Sequence, residues 1–350
     1  MEKKHTIKDV AKIAGVSIAT VSRVATGSSR VSPGITQRVK AAAGKLGVDL
    51  NRRGKGHVIA FILSNRGMLH PFHSHILVEA EAHCSRTDWS MLFLSLSYSP
   101  TVRWRELHIP RILERRDLVS GFIIAGTNSQ NLLDLLDHER LPFVVLGNNV
   151  IGEWRPEKHD VLWFDDVQGA ADLTRYFQSL GHRDIWFAGN TRLPWYGRRY
   201  AGYCQAMREA GLEPRLGEVD TENAQNMGYL ATKSMLARNL PVTAVFAGDD
   251  PVAEGVIKAL RDSSLRVPED ISVAGFNDIE AQLIHPPLTS VHVFTEQIGR
   301  KLAQMVLTRI EQPQIDPQHV TIPTQVVRRE SCRPPAGLKE LALGENMRVG

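Results

Sequence analysis

Short apolar runs alternate with longer amphipathic segments from Val58 to about residue 330, and this alternation strongly limits how the chain can fold. Each run is continuously apolar, which is typical of strands buried on both faces of a parallel sheet. The alternation of strands and helices therefore predicts an α/β fold with parallel sheets. The predicted strands are Val58–Leu63, Met91–Leu96, Gly121–Ala125, Pro142–Leu146, Val161–Phe164, Ile185–Ala188, Ala244–Ala247 and Ile271–Gly275.

The body, residues 58–332, is long for one open sheet, so we expect two lobes with a cleft between them. We assign about 58–162 and 293–320 to the first lobe, and about 163–292 and 321–332 to the second. Ligands of such sheets bind beyond the carboxyl ends of the strands. Residues 333–350 contain Pro-Pro, Gly and mixed charge, and are predicted to be a disordered tail. The predicted helices are Phe72–Arg86, Asn128–His138, Val167–Leu180, Arg199–Ala210, Ala224–Asn239, Val252–Ser263 and Thr295–Ile310.

Residues 1–47 predict a separate, all-α head. Thr6 with Asp9 three residues later forms the pattern of a capping box, which marks the start of a first helix. Gly15 supplies a tight turn, and Ser17 can cap a second helix directly after it. Two short helices joined by a glycine turn are typical of a DNA-reading helix-turn-helix.

The second helix of the head has the composition of a recognition helix. Val21 and Val24 are predicted to face inward, which leaves small, polar and basic side chains to face outward. Such a helix lies in the major groove and reads base edges from its N-terminal residues. An amphipathic helical hairpin that binds no DNA is the alternative. The outward residues are Ile18, Ala19, Ser22 and Arg23.

A third helix is predicted from Ser32-Pro33 to about Gly47, because proline is favoured at the first helical position. The polar, glycine-broken segment 48–57 that follows is predicted to be a short basic hinge. Its basic side chains can neutralise phosphates or enter a narrow minor groove. The residues predicted to contact DNA are Thr6, Ser17, Ile18, Ala19, Thr20, Ser22, Arg23, Arg30, Arg52, Arg53 and Lys55.

The distribution of charge favours a DNA-binding head over an amphipathic helical hairpin that binds no DNA. Residues 1–57 contain twelve Lys and Arg against three Asp and Glu, which is a net charge of +9. The whole chain has a net charge of +4, so residues 58–350 carry the difference, −5. A short, strongly basic head on an acidic body is typical of a nucleic-acid-binding module joined to a soluble domain.

Other classes of protein find little support in the composition. Three scattered cysteines, Cys84, Cys204 and Cys332, form no disulfide framework and no metal-ligand spacing. The first residues have no apolar core of a signal peptide, and no run approaches 18 apolar residues. We therefore predict a soluble, cytoplasmic protein that does not associate with a membrane and needs no cofactor.

A histidine cluster at His70, His73 and His75, with His83 beyond, resembles a metal site. His73 and His75 are not one helical turn apart, and no cysteine or carboxylate can be assigned to complete a ligand set. No metal is therefore predicted. An enzyme is equally weakly supported, because adjacent carboxylates such as Asp249-Asp250 cannot flank one bond and no catalytic motif is present. A solute-binding receptor would suit the body but not the basic head.

Head, hinge and body together resemble the lactose-repressor (LacI/GalR) family of bacterial transcription regulators. The head motif is T-I-K-D-V-A-K-I-A-G-V-S-I-A-T-V-S-R-V at Thr6–Val24, followed by V-S-P-G-I-T-Q-R-V-K at Val31–Lys40. The body matches independently through L-G-H-R-D-I (Leu180–Ile185), R-Y-A-G-Y (Arg199–Tyr203), L-R-V-P-E-D-I-S-V-A-G-F-N-D (Leu265–Asp278) and P-P-L-T-S-V (Pro286–Val291).

The resemblance implies a homodimer that binds a near-palindromic operator and is controlled by a small molecule, such as a sugar or sugar derivative, held between the lobes. It implies that Arg199 holds ligand hydroxyls or carboxylates, and that Asp249 and Asn277 are polar ligand positions. Arg199 could instead form a salt bridge with Asp249 or another cleft carboxylate, and Trp195 could belong to an interface or the core. The full set of implied ligand-binding residues is Phe72, Asn148, Trp195, Arg199, Asp249 and Asn277.

The chain departs from the family in two places. The hinge lacks the A-R-x-L element whose leucine wedges into the minor groove, and Leu50 is the only bulky apolar residue left near it. We therefore expect the hinge to hold DNA chiefly by charge. In the cleft, Gly147 replaces a common aspartate and Asn223 falls near a usual aromatic, so the ligand is expected to differ from those of well-known members.

Overall fold

The computed structural model describes residues 5–25, 31–48, 50, 58–67, 71–115, 117–221 and 223–336. The α-helices are α1 (Ile7–Ala14), α2 (Ile18–Ala25), α3 (Pro33–Leu46), α4 (Pro71–Arg86), α5 (Gln130–His138), α6 (Asp166–Ser179), α7 (Pro194–Glu209), α8 (Ala224–Ala237), α9 (Asp250–Arg261) and α10 (Thr295–Glu311). The strands are β1 (Val58–Ser64), β2 (Ser90–Leu96), β3 (Val119–Gly126), β4 (Asn128–Ser129), β5 (Phe143–Leu146), β6 (Val150–Ile151), β7 (Asp160–Phe164), β8 (Ile185–Ala188), β9 (Arg215–Gly217), β10 (Ala244–Ala247), β11 (Ser272–Asn277), β12 (Thr289–Val293), β13 (His319–Ile322) and β14 (Thr324–Val327).

The first lobe is built on a parallel six-stranded sheet with the order β13-β7-β5-β3-β1-β2. The central strands β1, β3 and β5 are buried along almost their whole length, because helices or loops cover both faces. This burial explains their continuously apolar sequences. The prediction of a parallel α/β body is confirmed.

The second lobe has its own six-stranded sheet, in the order β14-β12-β11-β10-β8-β9. Its strands are parallel except for β14, which runs antiparallel to β12 at the edge. The apolar runs did not reveal β9, β12, β13 or β14. These strands are short and carry polar residues, and three of them lie at sheet edges, where one side needs no apolar cover.

The chain crosses between the lobes three times, at Asp165, Phe294 and Pro323. These crossings come slightly later than the boundaries expected at 162, 292 and 320. After the second crossing α10 packs against α4 of the first lobe, so closely that a Cβ on Gly299 would lie 2.3 Å from the carbonyl oxygen of Ile76. The lobes are therefore linked by three short connections, as in a hinged pair of domains.

The head has a small core of its own around Val10, Val21 and Val39, which are fully buried. Gly15, between α1 and α2, has φ +62°, and Gly47 ends α3 with φ +64°. Both conformations are left-handed and favour glycine. Leu50 is only 7% exposed and packs into the same core, which ties the first hinge residues to the head.

The ordered C-terminus extends further than the sequence predicted. The backbone N–H of Arg333 donates to Ser272 Oγ (3.1 Å), and its carbonyl accepts from His182 Nε2 (2.9 Å). These bonds join the segment to β11, so the expectation of a disordered tail from residue 333 is wrong for residues 333–336. Residues 337–350 lie outside the described part of the chain.

None of the described helices is long and apolar enough to cross a bilayer.

Candidate DNA-binding surface and ligand cleft

Helix α2 presents the side chains expected of a recognition helix. Val21 and Val24 are buried, whereas Ile18, Ala19, Ser22 and Arg23 are exposed, with Ile18 at 49%. An apolar side chain left exposed beside serine and arginine suits contact with thymine methyls in the major groove. The geometry therefore places these four side chains on the outward face of α2.

Two predicted capping residues begin the head helices. The hydroxyl and the backbone N–H of Thr6 both donate to the Asp9 carboxylate, at 2.9 and 2.8 Å. Ser17 Oγ accepts the backbone N–H of Thr20 at 3.1 Å and lies 2.9 Å from the Thr20 hydroxyl. These bonds fix the N-termini of α1 and α2, where backbone N–H groups favour a phosphate. The other predicted DNA contacts, Arg30, Arg52, Arg53 and Lys55, lie outside the described residues.

A cavity of about 100 Å³ lies between the lobes, beyond the carboxyl ends of strands from both sheets. Of the predicted ligand residues, Phe72, Trp195, Arg199, Asp249 and Asn277 line it. The remaining lining residues are Arg66, His73, Asn149, Phe164, Leu193, Tyr196, Ala224 and Met227. The first lobe thus supplies aromatic and amide groups together with Arg66 and His73, and the second supplies Arg199 and Asp249.

Arg199 lies at the base of the cavity and is 3% exposed. One terminal nitrogen donates to the carbonyl of Gly248 (2.7 Å), the other donates to Asn277 Oδ1 (2.8 Å), and the guanidinium stacks on Phe276 at 4.0 Å. Burial lowers the pKa of Arg199, and Asp166 and Asp249 oppose that effect. The Nε–H is buried without a hydrogen-bond acceptor among the described residues. A buried donor of this kind is costly unless a ligand or water accepts from it.

Asp249 serves the cleft and the fold together. Its Oδ1 accepts the Val252 N–H at the start of α9 (2.9 Å), and its Oδ2 accepts the Tyr196 hydroxyl (2.6 Å). Asp249 therefore both caps α9 and lines the cleft. Asp250 points away into the second lobe, where the Ser290 hydroxyl donates to it at 2.6 Å. Nor does Arg199 bond directly to Asp249.

Arg66 and Trp195 meet across the mouth of the cleft, one from each lobe. The Arg66 guanidinium lies 3.6 Å from the centre of the Trp195 ring, and its Nε donates to Thr127 Oγ1 at 3.2 Å. The sequence analysis missed Arg66, because it lies in a loop after β1 with no pattern to distinguish it. Trp195 lines the cleft, and its partly buried ring also packs against the core of the body.

Asn148 does not line the cavity. Its amide donates to the carbonyl of Phe164 (2.8 Å) and accepts the Phe164 N–H (2.9 Å), so it holds the end of β7. The neighbouring Asn149 lines the cavity instead. In an irregular turn such as Gly147–Asn149, spacing alone cannot tell which of two adjacent amides faces a ligand.

The two cleft departures have structural reasons. A Cβ on Gly147 would lie 2.4 Å from Trp163 Nε1, so the indole occupies the space that an aspartate side chain would need. Asn223 caps α8 by accepting the Asn226 N–H at 2.8 Å, and the apolar Ala224 and Met227 face the cavity from that helix. At residue 147 the cleft therefore has no carboxylate.

The described residues contain no group of three or more side chains that could hold a metal ion. Of the histidine cluster, His73 is buried beside Phe72, with the ring centres 5.2 Å apart. His75 is exposed on α4, and His70 lies outside the described residues. Phe72 and His73 therefore form part of the wall of the cleft.

Comparisons with known proteins agree with this architecture. Residues 6–48 match the family of bacterial regulatory proteins of the lacI family, and residues 174–332 match the periplasmic binding protein-like domain. The HTH-type transcriptional repressor PurR of Pasteurella multocida is 30% identical over 94% of this chain and 98% of its own. The ribose operon repressor of Escherichia coli K12 is 30% identical over 93% and 99%.

Solved structures show the same fold. A complex of the transcriptional regulator CelR with cellobiose superimposes with a TM-score of 0.68 at 28% identity, over 93% of this chain and 99% of that one. A lac repressor dimer bound to operator gives a TM-score of 0.67 at 24% identity, over 95% and 100%. Fold and site define a DNA-binding transcriptional regulator with an effector-binding body. The chain belongs to the lacI family of bacterial regulatory proteins, and its members are regulators, not enzymes.

Proposed function

We propose that the protein is a repressor that binds an inverted-repeat operator as a homodimer and is controlled by a sugar or sugar derivative bound between its lobes. The single observation that carries the proposal is the cavity at Arg199, which both lobes line in a chain that also has an exposed recognition helix. A ligand that touches both lobes favours one lobe arrangement over another, and so can change operator affinity.

The lining suits a small polar molecule with an apolar face. Phe72 and Trp195 offer aromatic surfaces for a sugar ring, while Arg199, Asn149 and Asn277 offer hydrogen-bonding groups. The relatives support this class of ligand, since one is named a ribose operon repressor and another was solved with cellobiose. The proposed ligand-binding residues are therefore those of the cavity, with Asn149 in place of Asn148.

The proposed DNA contacts are the outward residues of α2 and the N-termini of both head helices. One recognition helix reads one half-site, so a two-fold dimer is needed to read an inverted repeat. The lac repressor structure that shares this fold is a dimer bound to operator, which supports the same arrangement here.

The experiment is an operator titration by fluorescence anisotropy, with a sequence selected from random DNA and with sugars added. The wild type should bind the operator and change its affinity at least fivefold when an effector is added, without converting the effector to product. Arg199→Lys keeps the charge but loses the planar fork of donors. The variant should bind the operator as the wild type does, but its operator affinity should no longer change when the effector is added. An Arg199→Lys variant with an unchanged response would refute the role of this cleft.

A further inference from the structure

The base of the cleft includes a turn whose backbone is strained. Strand β11 ends at Asn277, and both Asn277 and Asp278 have a positive φ, of +102° and +56°. Positive φ costs free energy in residues other than glycine and persists where surrounding contacts hold the backbone. Asn277 lines the cavity, and its amide oxygen accepts from Arg199 at 2.8 Å. The contacts that hold this turn therefore also fix the direction of an amide in the cleft.

Asp278 anchors the turn to the second lobe through two ion pairs. His292 Nδ1 lies 3.0 Å from one oxygen of the Asp278 carboxylate, and a terminal nitrogen of Arg329 lies 2.7 Å from the other. The Asp278 side chain is 6% exposed, so solvent screens these pairs less than it screens surface pairs. The N–H of Ile279, the next residue, donates to Asp250 Oδ2 at 3.2 Å. Asp278 and His292 are not among the described residues that line the cavity, so they act on it through the turn.

His292 lies close to the second crossing between the lobes. It is part of β12, two residues before Phe294, and the two rings meet edge to face with their centres 4.6 Å apart. The bond to Asp278 raises the pKa of His292 against the effects of burial and of Arg329, and Glu296 adds to the rise. The positive charge of His292 is therefore present at low pH and is lost as the pH rises through this raised pKa.

We propose that His292 and Asp278 are positioning residues of the effector site, whose ion pair holds the strained turn so that Asn277 meets the effector. This inference rests on the proposed function, because it concerns the effector of the same cleft. A charge-assisted bond stabilises more than a neutral one, by an amount that corresponds to about fivefold in an equilibrium constant. Effector affinity should therefore fall about fivefold when His292 loses its proton, although His292 does not touch the effector.

The test is isothermal titration of the full chain with D-ribose, D-glucose, D-galactose and cellobiose between pH 6 and pH 9. The sugar that binds is then titrated into two variants of His292. His292→Gln has no charge and should bind it about fivefold more weakly than the wild type at pH 6, with a smaller change in affinity across the pH range. His292→Lys stays charged up to pH 9 and should keep its affinity there, where the wild type has weakened.

A double-mutant cycle tests whether His292 acts through Asp278. Asp278→Asn removes the carboxylate but keeps a residue that tolerates positive φ. It should weaken sugar binding at pH 6, and adding His292→Gln to it should weaken binding no further, because the ion pair is already absent.

His108→Gln is the matched control, because His108 is exposed in the segment between β2 and β3 of the first lobe. It should follow the wild-type pH profile. Asp250 beneath the turn has a pKa raised to about 7, and His73 in the cleft wall is a second titratable group. The difference between the wild type and His292→Gln, rather than the wild-type profile alone, therefore measures the contribution of His292.

An equal pH dependence in the wild type and His292→Gln, or additive losses in the double variant, would overturn the proposal. If the sugar still changes operator affinity through Arg199 in that case, the repressor function stands and only the role of His292 and Asp278 is refuted. If none of the four sugars binds at any pH, the sugar effector and this inference are refuted together.

Discussion

Asp250 offers a sharp test of the electrostatics beneath the cleft. Its carboxyl is 5% exposed, and a Cβ on Gly275 would lie 2.4 Å from Oδ1, so the site is closely packed. Burial raises its pKa to about 7, with Asp249 and Asp278 adding to the effect against bonds from Ser290 and the Ile279 N–H. In the unfolded chain the pKa returns to near 3.8. The folded protein therefore binds a proton that the unfolded chain has released.

The sign and size of the effect follow from proton linkage. Between the two pKa values the folded state holds more protons, so the stability falls as pH rises through this window. Each pH unit well inside it changes the free energy of unfolding by about 1.4 kcal/mol. From pH 5 to pH 8 the loss at Asp250 amounts to about 2.5 kcal/mol.

Asp250→Asn removes the titrating group and keeps its shape. Relative to the wild type, the free energy of unfolding of the variant should increase by about 2.5 kcal/mol when the pH is raised from 5 to 8. This difference corresponds to a relative increase in Tm on the order of 5 °C. Urea unfolding followed by tryptophan fluorescence measures this gap, and Asp316→Asn, at an exposed carboxyl, is the control. A gap between Asp250→Asn and wild type that is the same at pH 5 and pH 8 would show that Asp250 does not carry a raised pKa.

Two further predictions concern the head. Arg23→Ala should weaken binding to the selected operator by about 1–3 kcal/mol if it removes an arginine–guanine contact, while the body's melting is unchanged; undiminished binding would refute the assignment. Leu50→Ala should destabilise the head by about 2–3 kcal/mol, because Leu50 is buried in its core. At saturating protein its complexes should still show wild-type DNA bending in circular-permutation gel shifts, whereas a minor-groove wedge at Leu50 predicts that bending is lost.

The sequence predicted the fold well wherever burial dictated residue type. Strands such as β1 and β3 are covered on both faces, so only apolar residues fit and the pattern is unmistakable. Edge strands such as β13 and β14 are partly exposed and tolerate histidine, threonine and glutamine, so no pattern distinguishes them from loops. Helix α7 begins at Pro194, five residues before the predicted start, because glycine and aromatic residues there do not resemble a helical stripe.

The cleft was harder to predict than the fold. Arg199 and Asp249 could be placed in the cleft because the family resemblance covers their positions, Arg199 within R-Y-A-G-Y on α7 and Asp249 just after β10. Arg66 and Asn149 lie in irregular segments, where the direction of a side chain depends on tertiary contacts that local spacing does not encode. The role of Gly147 likewise became clear only from the Trp163 indole, which lies on the neighbouring strand β7.

Reciprocal linkage between the effector cleft and the DNA-binding head tests most directly the claim that the cleft controls operator affinity. Operator affinity is measured with and without the effector that titration identifies, and effector affinity is measured with and without operator DNA. If the cleft controls the head, both affinities change by the same factor, at least fivefold, and Arg199→Lys reduces both factors to one. An operator affinity that is identical with and without a saturating, cleft-bound effector would contradict the account.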